Sequence, residues 1–354
     1  MGIKVLSLFD GMACGLQALK QANIEIDEYH AFEIDKYAVA VAKTNHPEIV
    51  HHGDVIDADF SKFKGFDLLI GGSPCQGFSF AGKQLAFDDP RSKLFFEFAR
   101  AKKEVYPKWF LLENVKMKKQ YLDTISEMLQ VEPVLINSAL VSAQNRQRYY
   151  WTNWDFEPPA DRGITWGDVR ELGVNAESFY YTESALRWLG HQSRKKQKLL
   201  SVHAKDEKMQ MLEASHHKKC SSQRFFGIVD TPSDQQAVAS MRGRRINPMT
   251  KKRDDYNADI DPIQYIEFRY DGKTNCLSTV TKDNVVVPFT APGRVPLDEF
   301  FFRYITPIEC ERLQTLPDNY TDAVSNTQRY KMIGNGWTVS VIEHILNVLK
   351  EETK

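Results

Sequence analysis

Short apolar runs of β-forming residues alternate with stretches of helical periodicity over the first 155 residues of the chain. Most of these runs are almost continuously apolar, which is typical of strands that are buried on both faces. The predicted strands are 5–9, 29–33, 66–70 and 109–113, and the predicted helices include 37–44, 92–104 and 121–129. The alternation predicts an α/β fold with a mostly parallel, doubly wound sheet.

The regular alternation ends at the double proline of residues 158 and 159. From there to about residue 300 the chain lacks clean periodicity, although β-like runs occur at 275–280 and 284–287. We therefore predict two domains. The first is formed by 1–157 together with 304–354, and the second, smaller one by 158–303.

Regular structure resumes at Thr306, where we predict that a helix begins. Thr306 precedes Pro307 and stands three residues before Glu309. Thr is a favourable N-cap, Pro fits the first helical position, and a Glu at the third position returns a hydrogen bond to the cap. The segment 339–349 carries apolar residues at helical spacing, and we predict that it packs on the first domain.

Charge is distributed unevenly along the chain, although the formal net charge is only -1. Between residues 187 and 253 there are 16 Lys and Arg but five Asp and Glu, so the rest of the chain is acidic. Such a basic block is expected where a protein binds a polyanion, because each neutralised phosphate releases counterions. The alternative explanation is a solvated helical face.

No stretch approaches the roughly 18 uncharged apolar residues that a membrane-spanning helix needs, and the N-terminus lacks the pattern of a secretory signal. The five cysteines are scattered and form no C-x-x-C pair, which argues against disulfides and against a zinc site. They are Cys14, Cys75, Cys220, Cys276 and Cys310. We expect a cytoplasmic protein with free thiols and no bound metal.

Three consecutive predicted strands end in features suited to a nucleoside. A glycine-containing turn at 9–15 follows the strand 5–9, Glu33 ends the strand 29–33, and Asp54 lies at the end of a third strand candidate that precedes the strand 66–70. In dinucleotide-binding folds an acidic residue about 20 positions after the glycine turn contacts ribose hydroxyls. The absence of G-x-G-x-x-G disfavours a nicotinamide cofactor, and three unrelated strand ends remain an alternative.

Cys75 and Glu113 carry the candidate chemistry. Cys75 stands in a Gly- and Pro-containing loop after the strand 66–70, and Glu113 ends the next strand. An isolated Cys is usually a small buried hydrophobic residue. At adjacent strand ends, however, the thiol and the carboxyl form a nucleophile with an acid partner. Methylation of cytosine at carbon 5 needs this pairing, because thiolate addition at carbon 6 makes carbon 5 nucleophilic enough to accept a methyl group. The base must also be turned out of the double helix.

The assembled motifs resemble those of the cytosine-5 DNA methyltransferase family, and the resemblance covers nearly the whole chain outside about 160–295. The matching segments are 9–15, 33–34, 53–55, 72–76, 113–115, 144–148, 303–317 and 334–336. The resemblance implies a Rossmann-like S-adenosylmethionine-dependent methyltransferase sheet in the first domain, which would be catalytic. The second would be a target-recognition domain. Methylation would distinguish self from non-self DNA, in a restriction-modification system or in phage protection.

The resemblance also implies roles for individual residues. Cys75 would attack carbon 6, Glu113 would engage ring nitrogen 3, and Arg148 with Arg146 would hold the flipped cytosine and the active-site loop. The residues implied for S-adenosyl-L-methionine are Phe9, Asp10, Gly11, Met12, Ala13, Cys14, Glu33, Ile34, Asp54, Val55, Asn335, Gly336 and Trp337.

Double-stranded DNA is the expected partner, and we expect a monomer. Ser73 and Gln76, beside the nucleophile, are implied DNA contacts. Arg242, Arg244 and Arg245 would meet phosphates or guanine edges, and the basic run 251–253 would do the same.

Several alternatives compete with these assignments. Arg146 and Arg148 are also explained as charges that protect a strand edge, and we interpret Arg312 and Gln314 as structural. An RNA methyltransferase of the same fold usually carries a Cys-Phe-Thr signature in the second domain, which is absent here. A catalytically dead DNA-binding homologue is disfavoured because Cys75, Glu113 and both arginines are present.

The sequence departs from the usual bacterial pattern at two positions of the implied cofactor site. Ala13 and Cys14 replace a glycine pair, and Trp337 follows the Gly-Asn-Gly of the last motif. Both features look closer to vertebrate de novo DNA methyltransferases and phage-borne relatives.

Overall fold

A computed structural model describes residues 2–73, 94–171 and 303–352, together with shorter segments between 236 and 288. These segments are 236–245, 247, 249–250, 254, 259–260, 263–269, 273–275 and 285–288. Cys75, Gln76 and the basic run 251–253 lie outside the described residues, as does the basic block between 187 and 235.

The chain divides into two compact units, formed by residues 1–164 with 311–354 and by residues 165–310. The first unit is discontinuous in sequence, because its C-terminal part follows the second unit along the chain.

A seven-stranded sheet forms the centre of the first unit, in the order β3-β2-β1-β4-β5-β8-β6. Strands β1 to β5 are parallel, and β8 is antiparallel to both β5 and β6. The strands are β1 (Ile3–Leu8), β2 (Ile26–Phe32), β3 (Val50–His52), β4 (Leu68–Gly71), β5 (Trp109–Val115), β6 (Val134–Asn137), β7 (Gln144–Asn145, outside this sheet) and β8 (Gln147–Thr152). This arrangement confirms the predicted doubly wound α/β sheet; the antiparallel end was not predicted.

Helices connect the parallel strands as the periodicity predicted. They are α1 (Cys14–Gln21), α2 (Lys36–Asn45), α3 (Leu94–Val105) and α4 (Lys119–Leu129), with short 3₁₀ turns at Phe60–Phe63 and Ser138–Leu140. The sheet and α3 bury a core rich in aromatic residues, including Phe95, Phe98, Phe110 and Trp151. Removing these rings from water provides much of the stability of the unit, at about 25 cal/mol per Å² of buried apolar surface.

The second unit contains a four-stranded antiparallel sheet in the order β10-β9-β12-β13. Its elements are α5 (Trp166–Val169), β9 (Gln236–Arg244), β10 (Ile263–Arg269), β11 (Thr274–Asn275, outside this sheet), β12 (Val285–Pro288) and β13 (Arg303–Tyr304). β12 matches the β-like run predicted at 284–287, whereas only the first residue of the run at 275–280 is described.

Helices return as predicted in α6 (Pro307–Leu313) and α8 (Val339–Leu346), whereas α7 (Asn326–Asn335) was not predicted; a 3₁₀ turn (Asn347–Glu351) follows α8. The predicted N-cap of α6 is confirmed: Glu309 N donates to Thr306 Oγ1 at 3.1 Å, and Thr306 N donates to Glu309 Oε2 at 2.8 Å. α8 packs against α1 within the first unit, as predicted.

Within the described segments, no helix is both long and apolar enough to span a lipid bilayer.

Candidate active site

The sheet order places a crevice between the carboxyl ends of β1 and β4. From β1 the chain passes through α1 to β2 on one side, and from β4 it passes through α3 to β5 on the other. Ligands of open α/β sheets bind at such a switch point, beyond the carboxyl ends of the strands. Asp10, Glu33, Ser73 and Glu113 all stand at this edge, as the sequence predicted.

The loop from Phe9 to Ala13 has an unusual backbone. Phe9, Gly11 and Ala13 all adopt positive φ, at 59°, 60° and 66°. The left-handed region costs a non-glycine residue roughly 1–3 kcal/mol, so surrounding contacts must stabilise the loop. Part of that support comes from the end of β2, since Asp10 N donates to Phe32 O at 3.1 Å.

Glu33 also holds this loop. Its Oε2 accepts from Gly11 N at 2.8 Å, and its Oε1 accepts from the amides of Ile34 and Asp35 at 2.8 and 2.7 Å. Because a carboxylate offers about four lone-pair sites, one further donor can still bind. Beside it, Ile34 is 73% exposed.

Asp10 is buried and incompletely hydrogen-bonded. Its Oδ1 accepts from Ser7 Oγ at 2.6 Å and from Tyr29 Oη at 2.7 Å, whereas Oδ2 has no hydrogen-bond partner within the described part of the chain. Burial raises the pKa of this carboxyl to about 6, and the charge of Glu33 adds to the increase although the two hydroxyl donors oppose it. A buried acceptor of this kind is suited to a cationic or hydrogen-bond-donating ligand.

Glu113 lies in a second cluster of polar side chains at the carboxyl-end edge of the sheet. Arg148 Nε lies 3.0 Å from its Oε1, and Trp337 Nε1 donates to its Oε2 at 3.2 Å. Both partners hold the carboxylate at the end of β5, where it is 8% exposed. The contact with Trp337 was not predicted, because no local pattern connects positions 113 and 337.

Gly72 allows this group to pack against the end of β4. A Cβ atom at this position would lie 2.7 Å from Trp337 Nε1 and 3.2 Å from Glu113 Oε2, so a side chain would displace both. The next residue, Ser73, is buried, and its Oγ accepts from Asn114 Nδ2 at 3.1 Å. The segment that leads to Cys75 is therefore fixed directly beside Glu113.

Arg146 is buried, and its guanidinium group contacts the main chain of the last motif. Its Nη1 donates to Gly334 O at 3.1 Å and its Nη2 to Gly336 O at 2.8 Å. Gln314, interpreted from sequence as structural, reinforces the same segment by donating to Ile333 O at 2.9 Å. Both residues thus position the backbone that carries Trp337.

The Asp54 loop is stabilised by an arginine that sequence reasoning missed. Asp54 Oδ1 accepts from Ile56 N at 3.0 Å in a local turn. Arg100 of α3 donates to Val55 O at 3.0 Å and to Ala58 O at 2.9 Å. An Arg on a surface helix gives no sequence signal of such a role.

The remaining predicted residues divide between the two units. In the first, Cys14 is buried, and burial raises the pKa of its thiol to about 12, so it is not a reactive thiolate. In the second, Arg242 and Arg244 lie on β9. Arg245 follows that strand, and its Nε donates to Ile260 O at 2.7 Å.

Comparison with known proteins agrees with this geometry. The family model "C-5 cytosine-specific DNA methylase" matches residues 3–351. The chain is 30% identical to the type II methyltransferase M1.ScrFI of Lactococcus lactis subsp. cremoris, over 99% of this chain and 80% of that protein. It is 26% identical to the orphan methyltransferase M.SPRI of Bacillus phage SPR, over 98% and 97% of the two chains. Among solved structures, the Entamoeba histolytica methyltransferase EhMeth superposes with a TM-score of 0.66 at 16% identity, covering 100% of this chain and 99% of that one.

The fold is that of the Rossmann-like S-adenosylmethionine-dependent methyltransferases. More specifically, the chain belongs to the C-5 cytosine-specific DNA methylase family, whose model spans nearly all of it. It is therefore a DNA-modifying enzyme with relatives of the restriction-modification type.

Proposed function

We propose that this enzyme methylates carbon 5 of a flipped cytosine in double-stranded DNA through a covalent adduct with Cys75. The observation that carries the proposal is the placement of Glu113. Its carboxylate is held by Arg148 and Trp337 at the strand end beside Ser73, two residues before the predicted nucleophile.

Cys75 and Glu113 are suited to the addition step of the proposed reaction. The Cys75 thiolate forms a bond to carbon 6, while Glu113 donates a hydrogen bond or proton at ring nitrogen 3. Electron density then reaches carbon 5, which would accept the methyl group as the methyl–sulfur bond of the donor breaks and a neutral thioether leaves. Loss of the carbon 5 proton allows the carbon–sulfur bond to break, which restores the ring and frees Cys75. Arg148 lies beside Glu113 and is suited to orient the base.

S-adenosylmethionine supplies an electrophilic methyl group on a sulfonium centre, and the carboxyl-end edge fits it. The buried Oδ2 of Asp10 and the remaining acceptor capacity of Glu33 suit an ammonium and ribose hydroxyls. The assigned residues are Phe9, Asp10, Gly11, Met12, Ala13, Cys14, Glu33, Ile34, Asp54, Val55, Asn335, Gly336 and Trp337. Phe9 and Ile34 would flank the adenine, and Asp54 would accept from its amino group.

The role of Asp10 leads to a prediction with opposite effects on stability and binding. Because the folded chain buries this carboxylate, its ionisation disfavours folding as pH rises from about 4 to about 6. Asp10→Asn keeps an acceptor for Ser7 and Tyr29 but removes the charge. At pH 7 we expect a free energy of unfolding about 1–3 kcal/mol higher for the ligand-free variant, and weaker S-adenosylmethionine binding.

Denaturant unfolding at pH 7 and pH 4, with calorimetric titration of S-adenosylmethionine, would measure both effects. The stability difference should nearly vanish at pH 4, where wild-type Asp10 is protonated. Asp57→Asn, at an exposed position, should change neither quantity. A ligand-free variant less stable than wild type at pH 7 would contradict the prediction.

The second unit is proposed to recognise the target sequence, with Arg242, Arg244 and Arg245 in contact with DNA and with Ser73 and Gln76 near the flipped base. Replacing the three arginines with Gln is expected to weaken DNA binding and to reduce the slope of log K against log salt by about 0.9 for each lost phosphate contact. Fluorescence anisotropy at several salt concentrations would measure the slope.

A charge-matched control is available on the first unit. Lys62, Lys64 and Lys103 are exposed and lie next to the amino ends of β4 and β5, away from the candidate site. Their replacement with Gln should leave the slope nearly unchanged. Equal slopes for wild type and the arginine variant would remove these residues from the proposed DNA surface.

The biological role is a further part of the proposal. Type II and phage orphan methyltransferases are similar over nearly the whole chain, and we propose that this enzyme marks DNA as self. Methylation sequencing of DNA from cells that express it should show 5-methylcytosine at one defined sequence context. Unmodified cytosines throughout would refute the proposed function.

A further inference from the structure

Met12 lies in the proposed cofactor loop, and its carbonyl is bound from outside that loop. Tyr320 Oη donates to Met12 O at 2.9 Å. The amide of the same peptide group, Ala13 N, donates to Asp10 O at 3.2 Å. The peptide plane between Met12 and Ala13 is therefore held at both ends. This matters because Gly11 and Ala13 both have positive φ, and a rotated peptide would give the loop an alternative, less strained conformation.

Tyr320 is itself firmly anchored. The buried carboxylate of Glu311 accepts from the amides on either side, Asn319 N at 2.7 Å and Thr321 N at 2.9 Å. Asn45 Nδ2 in turn donates to Tyr320 O at 2.8 Å. None of these contacts involves the cofactor loop. The position of Tyr320 is therefore fixed independently of the loop to which its hydroxyl donates.

His46 orients the Tyr320 hydroxyl. Its Nε2 lies 3.0 Å from Tyr320 Oη, and because that hydroxyl gives its only proton to Met12 O, Nε2 must be the donor. His46 Nδ1 then accepts from Lys20 Nζ at 2.9 Å. Burial, with the adjacent Lys20 charge, lowers the pKa of His46 to about 4 although Glu48 opposes the shift. The ring is therefore neutral. Successive hydrogen bonds are donated from Lys20 to His46, from His46 to Tyr320 and from Tyr320 to Met12 O.

We propose that Tyr320 and His46 are positioning residues that hold the cofactor loop in its binding conformation before S-adenosylmethionine arrives. The inference rests on the proposed function for the identity of the ligand, but the loop conformation is a property of the ligand-free chain. A preorganised loop lowers the free-energy cost of binding, so the hydroxyl acts on cofactor affinity rather than on the chemical step.

Tyr320→Phe tests the proposal, because it removes one oxygen and keeps the buried ring. In the ligand-free chain, we expect hydrogen exchange of the amides from Gly11 to Ala13 to accelerate about tenfold. The dissociation constant for S-adenosylmethionine should rise about tenfold by calorimetry, with kcat at saturating cofactor within about twofold of wild type. His46→Leu should behave similarly, while His46→Gln, which keeps a donor near the Nε2 position, should restore most of the affinity.

Ser126→Ala separates positioning from a general loss of stability. It removes another buried hydrogen bond of the first unit, from Trp151 Nε1 at 3.0 Å, on α4. It should lower the melting temperature without changing loop exchange or cofactor affinity. Unchanged loop exchange in Tyr320→Phe, or equal changes in Ser126→Ala, would overturn the proposal. Failure of the wild-type chain to bind S-adenosylmethionine would instead refute the proposed function, and loop exchange would still decide the positioning role.

Discussion

Cys75→Ala is expected to abolish methyl transfer and to leave S-adenosylmethionine binding intact. Without the thiolate no bond forms at carbon 6, and carbon 5 of cytosine is too weakly nucleophilic to accept the methyl group. The expected loss in kcat is at least about 10³-fold, as for other covalent nucleophiles. Transfer of labelled methyl groups to DNA, with calorimetric measurement of cofactor binding, would test both parts.

A substituted DNA would also show the proposed adduct directly. Fluorine at carbon 5 of the target cytosine cannot leave as the proton does, so the carbon–sulfur bond should persist after methyl transfer and survive denaturing electrophoresis. Cys310→Ala, which removes a buried thiol from the second unit, should still form this product. Turnover by Cys75→Ala within about tenfold of wild type would refute the assignment of the nucleophile.

Glu113→Gln is expected to reduce kcat by about 10²–10⁴-fold with a nearly unchanged dissociation constant for S-adenosylmethionine. The carboxylate receives donors on both oxygens, from Arg148 and from Trp337. A glutamine has one acceptor oxygen, so its NH₂ group must face one of these donors whichever way the amide is turned. The side chain should rotate away, and the contact with ring nitrogen 3 would be lost.

Single-turnover kinetics at saturating DNA and cofactor would isolate the chemical step of this variant. Glu127→Gln, at an exposed position of α4, is a charge-matched control and should retain wild-type kinetics. Retention of more than a tenth of wild-type kcat by Glu113→Gln would show that this carboxyl is not the acid partner of Cys75.

Hydrophobic periodicity was sufficient to predict the parallel part of the sheet and the strand ends that form the site. Strands buried on both faces give continuous apolar runs, and parallel strands place their carboxyl ends at one edge. Asp10, Glu33 and Glu113 could therefore be assigned to one edge from sequence alone. The antiparallel pair β6 and β8 was missed, because these short strands lack the long apolar runs of β1 and β5.

Contacts between distant positions were not predictable in the same way. Trp337 with Glu113, Arg146 with Gly336, and Tyr320 with Met12 join residues separated by 224, 190 and 308 positions. Such pairs depend on strand order and helix packing, which no local pattern encodes. The contacts of Arg146 with Gly334 O and Gly336 O gave no sequence signal, and its implied role in holding the flipped cytosine and the active-site loop stays a prediction.

The discontinuity of the first unit has a consequence for synthesis on the ribosome. Glu113 is made 224 residues before Trp337, and the whole second unit is translated between them. At roughly 5–20 residues per second, the nascent chain carries Glu113 for about 10–45 s before its indole partner exists. A ribosome-bound chain should therefore lack a complete Glu113 site until the unit that we propose to recognise the target has already been made.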